Sequence, residues 1–138
     1  MFLGCSKKSS IDLSNFDFSK VTIMFGLFAD CSNLEKIIFP KNILSVEDIS
    51  SMISNCIKLT SIDLSNFGFS NIYIMTNLFN RCNKLSRIIL PEENSSFKLN
   101  YRVFSKMFKN SYSLTSTDLS IFYFNGVIDL SNMFFKLL

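Results

Sequence analysis

"IDLSNFDFS" at residues 11–19 returns as "IDLSNFGFS" at 62–70 and, in a more worn form, as "TDLSIFYFN" at 117–125. The first two copies part only at Asp17 and Gly68. A chain of 138 residues that repeats a phrase is read first for its period, because a repeat architecture changes the meaning of every other motif.

The period is carried by apolar pairs. Met1-Phe2, Leu27-Phe28, Met52-Ile53, Leu78-Phe79, Met107-Phe108 and Met133-Phe134 advance by 26, 25, 26, 29 and 26 residues. Four places after the first member of each pair stand Cys5, Cys31, Cys56 and Cys82, then Ser111. Seven places after it stand Leu34, Leu59, Leu85 and Leu114, with Lys8 the exception. Ten and twelve places after it come Ile11/Leu13, Ile37/Phe39, Ile62/Leu64, Ile88/Leu90 and Thr117/Leu119. The unit reads L-x-x-I-x-L plus a second half with a short apolar cluster, and this spacing in a unit of ~20–29 residues is that of a leucine-rich repeat.

The pattern predicts an α/β repeat solenoid. It is a right-handed coil with a short parallel β-sheet on the concave side and short helices or helical turns on the other. Strands are expected near 9–13, 35–39, 60–64, 86–90 and 115–119. Leu34, Leu59, Leu85, Ile37, Ile62 and Ile88 should be buried, because one strand cannot shelter its inner face and stacked coils can. In the second half Met24/Leu27/Phe28, Ile49/Met52/Ile53, Met75/Leu78/Phe79, Phe104/Met107/Phe108 and Leu130/Met133/Phe134 are spaced i, i+3, i+4, one face of a helical turn. Glu47 and Asp48 would open one such turn, where negative charge suits a helix N-terminus. Phe16, Phe67 and Phe122 hold the slot where the common repeat carries Asn and predict a packing spine of rings. Pro40 and Pro91 fall just past the strands, where no ladder N–H is needed.

Residues 1–138 are thus expected to be a single leucine-rich repeat solenoid of about five coils of 25–29 residues. The repeat phase runs through residue 1, and Met133-Phe134 opens a sixth coil. Neither end shows the polar capping unit that covers a terminal core, so a segment of a longer array is expected. The one long coil holds "PEENSSF" (91–97) with a glycosylation sequon at Asn94, expected as a surface loop.

Composition narrows the function. Hydrophobic content is 48% and mean hydropathy +0.28, which fits a packed protein. The net charge is +3, and the 14 Lys and Arg are scattered along the sequence, which argues against a nucleic-acid partner. No apolar stretch approaches the ~18 residues of a membrane span, and "MFLGC" lacks the features of a signal peptide. There is no His and there are only 4 Gly, which removes the commonest general base, the Ser-His and Cys-His nucleophile pairs and any Gly-rich phosphate loop. No enzyme activity and no cofactor are expected. The four cysteines match no metal-ligand spacing. A buried ladder of reduced thiols is favoured over disulfides between adjacent coils.

The outward strand positions are Ser10/Asp12, Lys36/Ile38, Ser61/Asp63, Arg87/Ile89 and Ser116/Asp118. Asp and Ile alternate from coil to coil, so the carboxylates stand ~10 Å apart and repel weakly. This row reads either as a merely soluble sheet face or as a concave protein-binding surface, the face solenoids use for extended partners.

"DLSNFDFSKVTIMFGLFADC" (12–31) and "DLSNFGFSNIYIMTNLFNRC" (63–82) resemble the repeat of BspA-like leucine-rich repeat surface proteins, including the terminal Cys. The resemblance covers essentially the whole chain. It implies a cell-surface or secreted module for adhesion or host-protein binding, with no catalytic residues to carry over. An intracellular scaffold or recognition module that binds a protein through the same face stays open beside it.

Overall fold

Short parallel strands at regular spacing build the protein. In the computed structural model, residues 2–91, 102–114 and 127–134 are described. β1 (Ser10–Asp12), β2 (Lys36–Ile38), β3 (Ser61–Asp63) and β4 (Arg87–Ile89) lie inside the expected ranges. β1 pairs with β2 and β3 with β4, both parallel and in repeat register: Ile11 opposite Ile37, Ile62 opposite Ile88. The expected strand near 115–119, with Ser116 and Asp118, lies outside the described residues, as do Phe122 and the Asn94 sequon.

The single sheet expected on this side is instead two pairs, β1-β2 and β3-β4. The second coil joins the third further round, where Ile43 bridges Phe67. Asn42 stands just before it at positive φ (61°) and turns the chain there. Ile43 donates its N–H to the Asn66 carbonyl at 2.9 Å, and Gly68 donates to the Ile43 carbonyl at 2.7 Å.

The second half holds the larger surprise. Among the described residues it contains no helix. A second parallel ladder runs through single bridges Ile23–Asp48, Asp48–Ile74 and Ile74–Val103, and continues in β5 (Arg102–Val103) paired with β6 (Val127–Asp129). After each bridge the chain makes single turns rather than helix. Leu27 N–H bonds the Met24 carbonyl, and Cys31 N–H bonds that of Phe28. The intervening amides of Met24, Gly26, Phe28 and Asp30 reach across to Asp48, Ser50, Met52 and Ser54 of the next coil.

Positive φ at two columns explains this. Gly26, Ser51, Asn77, Lys106 and Asn132 stand just before the apolar pair, and Gly4, Asp30, Asn55, Arg81 and Asn110 stand four residues later. Each such residue where a turn bond closes over it is third in a four-residue turn, as a type II turn requires. A left-handed residue every fourth place cannot be built into a right-handed helix, so the i, i+3, i+4 stripe faces the core from a run of turns. Gly, Asn and Asp fill most of these places because they bear positive φ at least cost.

The columns the period set out are the core. Leu34, Leu59 and Leu85 are fully buried, and Ile37 and Ile62 are buried; Ile88 is half-buried on the last described strand of its ladder. Burying each such side chain is worth about 1.5–3 kcal/mol. The ring stack is not where it was expected. Phe67 is buried, but Phe16 is 50% exposed. The stacked rings belong to the second member of the apolar pair: Phe2 on Phe28 at 5.5 Å, Phe79 on Phe108 at 5.3 Å and Phe108 on Phe134 at 5.6 Å. Ile53 holds that slot in the third coil.

All four cysteines are free thiols, and three of them tie coils together. Cys31 Sγ donates to the Phe2 carbonyl at 2.9 Å, Cys56 to Phe28 at 3.2 Å and Cys82 to Ile53 at 3.1 Å. Ser111 Oγ donates in the same way to the Phe79 carbonyl, which accounts for the one departure from Cys in this column. Burial pushes the Cys31 and Cys82 thiols up and the Cys56 thiol to about 12. Cys5 differs, being only half-buried, so the expected buried ladder of thiols is corrected at its first position. A thiol reagent at neutral pH should label one group in the folded protein and all four in denaturant. Three or more fast-reacting groups in the folded state would contradict the burial. The raised pKa also fixes the sign of an alkaline effect. The stabilisation from keeping Cys56 neutral is complete below its ordinary value of 9.0 and is lost as pH rises towards about 12.

Candidate functional site

The outward face of the first ladder is assembled by alternation. In each strand the middle residue turns into the core and its neighbours turn out. Ser10, Asp12, Lys36, Ser61, Asp63 and Arg87 are exposed, and Ile38 and Ile89 are half-buried. Register places Ser10 beside Lys36, Asp12 beside Ile38, Ser61 beside Arg87 and Asp63 beside Ile89. The two pairs lie next to each other, β2 against β3. Eight of the ten expected positions therefore share one surface, and Ser116 and Asp118 lie outside the described residues.

The carboxylates on this face also hold the backbone. Asp12 Oδ1 accepts the Ser14 N–H at 2.8 Å, and Asp63 Oδ1 accepts that of Ser65 at 2.9 Å. The same bond is made by Asp17 to Ser19, Asp48 to Ser50 and Asp129 to Ser131. Every one of the seven aspartates is followed two places later by Ser, the Asp-x-Ser spacing that such turns use, although Asp30 turns its Oδ1 to Asn55 Nδ2 instead and its backbone carbonyl accepts the Ser32 N–H. The Ser14 N–H, helped by its hydroxyl and by Lys36, holds the Asp12 carboxyl below the usual range. Asp48, expected at a helix start, is instead a bridge residue whose Oδ1 also accepts the Ser50 hydroxyl at 2.6 Å.

Sequence scatter hides the cations. Lys58 and Lys84 occupy the same phase of neighbouring coils, three residues before Ser61 and Arg87, and Lys7 holds that phase in the first coil. With Lys36 and Arg87 they make an exposed basic band along the N-terminal edge of the strands. Glu35, Lys58, Thr60 and Lys84 line a shallow cleft of about 370 Å³ there. Among the described residues no group of three or more His, Cys, Asp or Glu could hold a metal ion, and no helix is long and apolar enough to cross a membrane.

Residues 1–99 match the model of a family described as Mycoplasma protein of unknown function, DUF285. A crystal structure of a leucine-rich repeat protein from Eubacterium ventriosum shares the fold, with a TM-score of 0.60 and 22% identity over 97% of this chain. The chain spans 32% of that protein's length. No curated protein matches.

Proposed function

The chain belongs to the DUF285 family of Mycoplasma proteins of unknown function, and we propose that it is a non-catalytic module that binds a protein through the outward face of β1–β4. The observation that carries this reading is the repeat register of one sheet face, which sets the exposed side chains of Ser10, Lys36, Ser61 and Arg87 side by side in one row. A stacked row of exposed side chains, one from each coil, offers an extended partner a continuous surface. The resemblance of 12–31 and 63–82 to BspA-like repeats supports a cell-surface adhesion role, binding a host protein. The free thiols favour a second reading, an intracellular scaffold, since reduced cysteines suit a reducing compartment.

Differential capture tests the proposal. Immobilised wild-type chain and the Lys36→Glu/Arg87→Glu variant are offered the same mixture of host-cell surface proteins. The expected result is a protein retained by the wild type and lost from the variant, with matched melting curves, because exposed charges steer encounter. Identical retention on both would move binding off this face. Labelling intact cells with a membrane-impermeant biotin reagent separates the two locations.

A further inference from the structure

We infer that the basic band beside the strands receives an acidic segment of the partner protein, an inference that rests on the first-ladder face being the protein-binding surface. Lys58 and Lys84 come from neighbouring coils at the same phase and converge on one cleft with Thr60. Both lie in turns just before the strands, at one phase of coils that stack ~4.8 Å apart, where like charges repel. An anionic group seated between them relieves that repulsion.

Lys36 and Arg87 extend the band onto the sheet face, and Lys7 extends it along the first coil. Glu35 is the carboxylate lining the same cleft, and it occupies part of the space an acidic side chain would take. At the far end of the strands, ~7 Å away, Asp12 and Asp63 close β1 and β3, while Ile38 and Ile89 close β2 and β4. The surface is thus basic on one edge and acidic on the other. A nucleic acid presents one sign of charge along its whole backbone and would meet the aspartates as well as the lysines. A protein segment can carry acidic groups over the band and neutral or basic ones over Asp12 and Asp63.

The test uses a fluorescent peptide of alternating Glu and Ser, about eight residues long, which extended spans roughly 26–29 Å and covers the stacked strands. Its Lys-Ser counterpart and an oligothymidylate of equal charge are the comparisons. The acidic peptide should bind at low salt and the basic one should not. Lys58→Glu/Lys84→Glu should weaken acidic-peptide binding roughly tenfold or more, and Glu35→Gln should strengthen it about twofold. The gain in Glu35→Gln cannot come from misfolding. No binding of the acidic peptide, equal affinity in the double variant, or tighter binding of the oligothymidylate would each overturn the inference. A captured protein lost from Lys36→Glu/Arg87→Glu but kept by Lys58→Glu/Lys84→Glu would overturn it while leaving the protein-binding reading intact.

Discussion

Phe28→Ala is expected to lower the unfolding free energy by about 3–5 kcal/mol, the usual cost of truncating a fully buried aromatic. Phe28 is 0% exposed, stacks on Phe2 at 5.5 Å and meets the edge of Phe39 at 6.0 Å. Its removal empties a slot that two coils share, and the bonds from Phe28 N–H to the Met52 carbonyl and from Cys56 Sγ to the Phe28 carbonyl limit how far the coils can collapse into it. Phe16→Ala is the contrast. That ring is half exposed, and its loss should cost less than about 1 kcal/mol. Denaturant titration with an unchanged slope reads both. Equal losses would put the ring stack back in the column that the repeated phrase suggests.

Gly68→Asp turns the second copy of the phrase into the first, and it should destabilise the protein by about 1–3 kcal/mol through overpacking. A Cβ at residue 68 would stand 3.0 Å from Leu44 Cα and 3.2 Å from its carbonyl oxygen. Both are backbone atoms, held by the Gly68–Ile43 bond at 2.7 Å, so neither can swing aside. The reverse change, Asp17→Gly, removes an exposed carboxylate that accepts the Ser19 N–H and should cost below about 1 kcal/mol. The asymmetry is the informative part. A harmless Gly68→Asp would mean that the second and third coils are not so closely seated.

These two substitutions also mark how far the fold could be read from residues alone. The period located β1–β4, their parallel pairing and the columns of Leu34, Leu59 and Leu85, because each of these depends on a side chain returning at the same phase. The turns are not legible in the same way, because Met24, Leu27 and Phe28 have the spacing of a helix face and apolar spacing does not report backbone handedness. The counter-signal is Asn55, Asn77, Asn110 and Asn132, small polar residues in the two columns, four residues apart, where φ is positive. Phe16 was placed in a spine by its position in the phrase, yet phase alone cannot distinguish a ring that turns in from one that turns out at a corner.

For the candidate surface, alternation along the strands was enough to put Ser10, Lys36, Ser61 and Arg87 on one face. The basic band is not legible along the chain because Lys58 and Lys84 are far apart in sequence and become neighbours only when the coils are superposed, with Lys7 at the same phase two coils away. The aspartates were read for their charge, whereas the Asp-x-Ser spacing shows that they also hold the backbone as it leaves the strand.

Site-specific photo-crosslinking tests the central claim most directly, by placing the same photoreactive residue at Ser61 on the first ladder or at Tyr73 on the second. Both positions are exposed and belong to the same coil. In cells that make the protein, crosslinks to a partner are expected from Ser61 and not from Tyr73. Crosslinks from Tyr73 with none from Ser61 would contradict the account and assign binding to the second ladder.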